Sequence, residues 1–288
     1  MTLITILICI GLEHFFGTLE RLRDLSWLQR YADWLHTRLG YLPAWDGSFG
    51  LLTTLAAPLF VIIALLGFLY HHAPLLAFVG GVGCLLYTLG PRDLNLQIET
   101  YKKAVASGDT AAIDQAVVAL TGEGGAQLGD FRTQTAMEAI LVAANERYFA
   151  VCFWFGVLGP LGALLYRFNA ELRRISSARS MGFTETAVRL HAILDWVPSR
   201  LFALGFALGG SLTHSLEAWK FKQTLNLFEN ESVIKSAGLG ALLFDQPGQS
   251  LAPEAECSWV DEARGLAART FLVWFTVLAL MTLAGRIA

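Results

Sequence analysis

Residues 51–70 read LLTTLAAPLFVIIALLGFLY, twenty positions without one charge. A bilayer's hydrocarbon core is about 30 Å thick and takes about 20 mostly apolar helical residues to cross. Lipid supplies no hydrogen-bond partners, so such a run must satisfy its backbone internally, as a helix. A spanning helix over 51–70 follows. A second apolar run, 74–90, comes after the short link His71-His72-Ala73, which predicts a helical hairpin. Further spans are expected over 148–166, 196–213 and 270–286. Residues 1–19 make a sixth candidate, interrupted by Glu13 and His14. Glu13 is either a paired intramembrane acid or the interfacial end of a short helix.

Composition agrees with these runs. The chain is 55% hydrophobic and only 16% charged, whereas a soluble domain carries about 25% charged residues. A water-facing surface cannot be built from so few charges. The expected fold is all-α: a polytopic helical membrane protein, one integral membrane domain over 1–288, with amphipathic and extramembrane helical insertions. Its first partner is the lipid bilayer. The net charge of −3 gives no basic field for nucleic acid. Cys9, Cys84 and Cys152 sit in apolar runs and Cys257 in a polar stretch, without zinc-ligand or disulfide spacing. They read as small buried hydrophobes, and no metal site is expected. Met1–Ile10 has no basic residue before it and no small-residue cleavage site after it, so it reads as a retained helix rather than a signal peptide.

Glycine spacing suggests close helix packing. Gly156, Gly159 and Gly162 recur every three residues, Gly205 and Gly209 form a G-x-x-x-G, and Pro160 is expected to kink its helix. Arg21, Arg23, Arg30 and Arg38 follow the first segment, which places residues 20–49 in the cytoplasm, the His71-His72 link outside and 91–147 back inside. The next loop strains this rule. Arg167, Arg173, Arg174, Arg179 and Arg189 fall outside if 148–166 crosses fully, so either that segment is re-entrant or the arginines lie along the interface.

Two polar regions, 94–146 and 217–266, read as extramembrane helical segments. Leu94–Ala106 is amphipathic, Ser107-Gly108 breaks it, and Asp109 or Thr110 can cap a second helix through Ile113, Ala116, Val117 and Leu120. The glycine-rich run 122–129 lacks the Lys-Ser/Thr of a phosphate loop and reads as a connector. Residues 175–190 read as interfacial, 217–228 as amphipathic, 248–257 as a loop, and 261–268 as a helix leading into the last span.

Chemistry, if present, sits where polar residues meet span ends. The clusters are Asn145-Glu146-Arg147, His191 through Asp195 to Arg200, and Asn230-Glu231-Ser232. By spacing alone these can equally be solvated helix ends at headgroup level. No Ser-His-Asp series, metal cluster or paired carboxylates emerge, so no catalytic residue is assigned from pattern.

The order of these residues carries a resemblance. Asn145, then Gly159-Pro160-Leu161-Gly162-Ala163-Leu164-Leu165-Tyr166-Arg167, Arg189-Leu190, Asp195-Trp196-Val197-Pro198-Ser199-Arg200-Leu201, Asn230 and Ala237-Gly238-Leu239-Gly240-Ala241-Leu242 resemble the superfamily of CobD/CbiB-like membrane adenosylcobinamide-phosphate synthases. Within it, residues 149–160 and the opening Met1-Thr2-Leu3 are similar to the AmpE branch, inner-membrane regulators associated with induction of AmpC β-lactamase. The resemblance covers nearly the whole chain. It departs where the synthase has acids: Ala144 stands for a Glu, Tyr148-Phe149 for Asp-Gly, and His191-Ala192 for Asp-Asp.

The resemblance implies a multi-pass protein of the bacterial inner membrane. It implies a non-catalytic, ligand- or partner-binding relative of the synthase, tied to the β-lactam response and antibiotic resistance. Asn145, Arg167, Asp195, Arg200 and Asn230 would bound its polar pocket, with Glu146, Arg147 and His191 as features of the branch. No cofactor is expected on this reading. The alternative it carries is a membrane ligase, amide-forming and dependent on ATP and magnesium, with an altered substrate. A transporter is a further alternative, against which the nearly unbroken apolar spans speak.

Overall fold

A computed structural model describes residues 5–9, 11, 24–42, 45–89, 94–122, 131–174, 181–219, 226–246, 248–249 and 251–284. Among these the chain is helical, with turns and no strand. The Glu13-His14 interruption and most of the glycine-rich connector lie outside the described residues. Four helices are long and apolar enough to cross a membrane by length and composition: Ser48–His72, Arg132–Leu158, Met181–Gly209 and Pro253–Leu283. The protein is an all-α polytopic membrane protein.

The chain forms two compact units, one of residues 1–91, 150–195 and 285–288, the other of 92–149 and 196–284. The division falls inside two continuous helices, Arg132–Leu158 and Met181–Gly209. No polar linker marks it, which is why the sequence reads as one domain.

In the first unit, α1 (Ser26–Leu39) buries Leu28, Ala32 and Leu35, one stripe at helical spacing. Leu28 and Ala32 join a core with Leu51, Leu55, Leu59, Leu164 and Phe168. α2 (Ser48–His72) and α3 (Pro74–Thr88) form the expected hairpin, with Ala73 alone between them and Pro74 opening α3. Proline suits that first position because its missing N–H would be an orphan there anyway. Phe60, Val61, Leu65 and Phe68 of α2 are exposed, which is the side a bilayer covers. α3 has 15 residues, about 22 Å of helix, shorter than the crossing expected over 74–90.

The expected span 148–166 is replaced by another arrangement. The helix begins sixteen residues earlier: α6 (Arg132–Ala144) passes through a π-turn (Asn145–Phe149) into α7 (Ala150–Leu158), and Gly159 then turns the chain with φ +65°. Pro160 opens α8 (Pro160–Arg174). Glycine enters that left-handed conformation without steric cost, so Gly159-Pro160 makes a break rather than a kink. The spacing of Gly156, Gly159 and Gly162 is therefore not one packing face. A Cβ on Gly156 would meet nothing within 4 Å, whereas one on Gly162 would collide with the preceding turn at Trp154 and Leu158. Residues 181–190, within the stretch expected at the interface, begin α9 (Met181–Gly209). The Asp46 carboxylate accepts from the Phe183 N–H there at 3.1 Å.

In the second unit, α4 (Leu94–Ser107) and α5 (Thr110–Thr121) form the expected helical pair. Asp109 caps α5, accepting from the N–H groups of Ala111 and Ala112 at 3.0 and 3.2 Å. Ile113, Ala116, Val117 and Leu120 are buried. α10 (Leu212–Trp219) and α11 (Asn230–Leu242) approach at backbone distance. The Ser211 N–H donates to the Ala241 carbonyl at 2.9 Å, and the Ser215 hydroxyl to the Ala237 carbonyl at 3.0 Å. α12 (Pro253–Leu283) packs on Gly205 and Gly209. A Cβ at Gly205 would stand 2.7 Å from the Trp274 indole nitrogen, so this G-x-x-x-G is a packing site. The loop expected to end at Cys257 ends earlier, at the Pro253 that starts α12.

A buried ionic cluster ties α4 and α6 to α12. The Glu256 carboxylate, fully buried, receives the Arg132 guanidinium through Nε at 3.1 Å and Nη2 at 3.0 Å, and the Tyr101 hydroxyl donates to it as well. Lys102–Asp261 nearby, at 2.8 Å, is partly exposed and contributes little. Burial first, and then the bond to Glu256, push the Tyr101 hydroxyl well above the ordinary phenol value of 10.0.

Three outcomes follow for protein purified in detergent. A Cβ at Gly240 would lie 2.7 Å from the Ala218 Cβ and closer still to the His214 carbonyl, whereas one at Gly67 would meet nothing within 4 Å. Gly240→Val therefore lowers thermal stability by about 1–3 kcal/mol, while Gly67→Ala leaves it level or raises it; equal effects would refute the close approach. Glu256→Leu alone costs about 1–3 kcal/mol, because the buried Tyr101 hydroxyl loses its acceptor and Arg132, a quarter exposed, loses its carboxylate, and Arg132→Met added to it restores part of that loss. The Tyr101 contribution is present below the unfolded phenol value and declines as pH rises past about 10, since the unfolded chain ionises first. Tyr101→Phe should flatten that alkaline decline in a pH–stability series.

Candidate functional site

The eight residues singled out at helix ends are all buried in the structure, between 1% and 8% exposed. This excludes the solvated-helix-end reading for them. Charged and amide groups enter an apolar interior only where oxygen and nitrogen partners meet them. Each unit is described separately.

The second unit holds Asn145, Glu146, Arg147, Arg200 and Asn230. The first three sit on the π-turn between α6 and α7. A π-turn inserts one residue into the helical register and is frequent at functional sites. Here its three consecutive polar side chains all lie in the interior. The Asn145 N–H, where the π-turn begins, is shared between the Leu141 and Val142 carbonyls. The Arg147 guanidinium donates to Gln97 Oε1 at 2.7 Å, and Gln97 in turn donates to the Ala119 carbonyl at 2.9 Å.

Arg200 is held by several oxygens. Its Nη1 donates to the Trp196 carbonyl at 3.2 Å, to the Ser199 hydroxyl at 3.0 Å and to the Asn230 side chain, and its Nη2 donates to the Asn226 carbonyl at 2.9 Å. The guanidinium lies over the Trp196 ring, 4.9 Å from its centre, a cation–π contact. Asn230 is the first residue of α11, and the Asn226 side chain shapes the turn before it by accepting from the Phe228 N–H. The Trp196 indole N–H is buried and has no hydrogen-bond partner among the described residues. A buried donor in that position calls for a water or a ligand. Arginine is always charged and presents a planar fork that matches phosphate and carboxylate.

The first unit holds Arg167, His191 and Asp195. The Tyr166 hydroxyl donates to the Asp195 carboxylate at 2.9 Å, and the His191 ring packs against the Tyr166 ring with centres 5.2 Å apart. Arg167 lies 3.7 Å from Glu171, whose carboxylate also accepts from Gln29 at 2.8 Å. Asn169 donates to the Ala187 carbonyl at 3.1 Å, and its own oxygen is buried without a partner among the described residues. These bonds fasten α8 to the first half of α9.

Tyr166, Gln97 and Asn226 are site residues that pattern did not single out as candidates, whereas Ser199 lay within the cluster from His191 to Arg200. Tyr166 and Ser199 lay inside motifs quoted for resemblance. Gln97 and Asn226 carried no signal, because their partners are 50 and 26 residues away. Among the described residues, no group of three or more His, Cys, Asp or Glu is placed to hold a metal ion. The donor set suits anionic oxygen, through guanidinium, amide and indole N–H groups, better than it suits a protein-held cation.

Comparison with known proteins reports on the same stretch. The chain is 30% identical over 173 residues to the cobalamin biosynthesis protein CobD of Chromobacterium violaceum, a match covering 59% of this chain and 55% of that protein. It is 28% identical over 184 residues to the protein of the same name from Stutzerimonas stutzeri, covering 62% of this chain and 61% of that one. The match thus spans less than two thirds of the length of these curated relatives. No solved structure matches the chain. The family described as CobD/Cbib protein matches over residues 6–244, across both units and every candidate residue. By that match, the chain belongs to the CobD/CbiB family.

Proposed function

We propose that this chain is a membrane ligase of the CobD kind, joining a carboxylic acid to an amine with an altered substrate, in the bacterial inner membrane. The observation that carries the proposal is the buried Arg200 fork, held by Asn230, Ser199 and the Asn226 carbonyl beside the partnerless Trp196 N–H. Hydrogen-bond donors aimed at anionic oxygen in a water-poor site are the usual means of stabilising charge that develops in acyl and phosphoryl transfer. Relatives named cobalamin biosynthesis proteins point the same way.

ATP with magnesium would supply the driving force for amide formation. Arg147, Arg167 and Arg200 are the residues whose guanidiniums would receive phosphate or carboxylate oxygens. The residues present do not make a metal cage. Glu146 and Asp195 are the buried carboxylates among the eight candidates, and they belong to different units. Magnesium carried on a nucleotide's phosphates uses only one or two carboxylates, so any magnesium here would arrive with its substrate.

A second reading is favoured by a specific observation. Where the resemblance leads one to expect acids, the chain has Ala144, Tyr148, His191 and Ala192. A scaffold that keeps its anion-binding arginines and loses metal-holding acids suits ligand sensing, the regulatory role implied by likeness to the AmpE branch. A small ligand or a protein partner would then replace substrate.

The two readings separate in one experiment. Under the ligase reading, the chain expressed in a strain lacking cobinamide-phosphate synthase restores cobalamin-dependent growth or, with its altered substrate, binds ATP as purified protein. Arg200→Lys, which keeps charge but loses the fork, cuts either activity tenfold or more. If wild-type protein at normal abundance does neither, the ligase reading fails. Under the regulatory reading, deleting the chain changes β-lactamase induction, and Asp195→Asn or Asn230→Ala reproduces the change at unchanged protein level. Induction that ignores all three ends that reading.

A further inference from the structure

α1 carries two opposed stripes. Leu25, Leu28 and Ala32 are buried against the core of the first unit, and Leu35 is buried as well. On the other side Arg30, Trp34 and Arg38 recur at four-residue steps, joined by Tyr41 just past the helix end. All four are exposed, Trp34 by 56% and Tyr41 by 79%. Four-residue steps keep these side chains within about a quarter of the helix circumference. Large aromatics so exposed are not serving the core. Asp33 is also exposed, at the border of this ridge, and leaves it a net positive charge.

Position decides what covers the ridge. α2 begins at Ser48, seven residues after Tyr41, and carries no Asp, Glu, Lys or Arg over its 25 residues. Trp45, which lies between the two helices, is tied back to α1. The Trp45 indole N–H, almost fully buried, donates to His36 Nδ1 at 3.1 Å, and the Gly40 N–H donates to the His36 carbonyl at 2.8 Å. α1 is thereby fixed next to the membrane entry of α2. Tryptophan and tyrosine favour the headgroup level of a bilayer, and arginines beside them meet lipid phosphates. We propose that the Arg30–Trp34–Arg38–Tyr41 ridge is a docking surface for anionic phospholipid headgroups, holding α1 flat in the interface.

The test uses the full chain reconstituted in vesicles of phosphatidylcholine and phosphatidylglycerol. Bromine, a quencher of tryptophan fluorescence, is placed on the acyl chains of one lipid or the other. The contribution of Trp34 is the difference between wild type and Trp34→Phe. The ridge requires that brominated phosphatidylglycerol quench Trp34 more than brominated phosphatidylcholine does at equal mole fraction. The preference is up to about fivefold for each arginine. It should disappear in Arg30→Gln/Arg38→Gln and persist in Arg30→Lys/Arg38→Lys, which controls for folding. Equal quenching by both lipids, or a preference that survives the glutamine pair, overturns the proposal. So does a Trp34 untouched by either lipid, which would leave the ridge to water or to a protein.

Discussion

The constraint on which this structure turns is the burial of arginine. Arg147, Arg167 and Arg200 are each at most 7% exposed, and a guanidinium cannot shed its charge to ease its burial. The effective penalty for such an ion is several kcal/mol unless oxygens surround it. The helices are interrupted where those oxygens are needed. The π-turn brings Asn145 to Arg147 inside, the start of α11 brings Asn230 to Arg200, and the turn before it exposes the Asn226 carbonyl. A bundle of unbroken apolar helices would have been simpler to pack and could have held none of these groups.

Glycine and small residues serve the same end by another route. Two helices that meet at backbone distance give up side-chain volume and gain carbonyl acceptors, as when Ser215 bonds the Ala237 carbonyl and Ser211 the Ala241 carbonyl. The run Ala237–Leu242 is therefore explained by packing, although it is among the stretches by which the family is recognised. Its physical role is to let α10 lie against α11. The bond that holds the Arg200 guanidinium is made by Asn230, at the start of that same helix.

What was legible in the sequence follows from the range over which each signal acts. Signals that act within one turn were readable. Asp109 as a cap, the buried face of α5, Pro74 at the head of α3 and the hairpin around Ala73 all depend on neighbours a few residues apart. So did the G-x-x-x-G of Gly205 and Gly209, because the close approach it permits is written on one helix even though the partner is not. The crossing over 148–166 was misplaced because hydropathy weighs residues singly. Asn145-Glu146-Arg147 looked like the end of a span, and only three-dimensional partners such as Gln97 let a helix continue through them. The same gap hid the site's character. A polar residue next to an apolar run reads alike whether it faces headgroups or a buried network. Arg132 and Glu256, 124 residues apart, left no mark by which their pairing could be read.

The substitutions in the family pattern acquire meaning from this burial. Replacing an acid by alanine or tyrosine in a solvated site changes little beyond the local field. In a water-poor site the same change removes a negative charge that no solvent replaces, and neighbouring guanidiniums act with more of their full strength. In the second unit the lost acids flank Asn145, on the turn that carries Arg147. In the first, His191 and Ala192 stand one helical turn before Asp195 on α9, whose carboxylate is already engaged by Tyr166. On the proposed readings, each unit taken alone would have shifted from a balance suited to a cation toward one suited to an anion. An enzyme evolving a new substrate and a receptor abandoning catalysis would share that shift. What divides them is whether bound anions are consumed, a question of turnover rather than of fit.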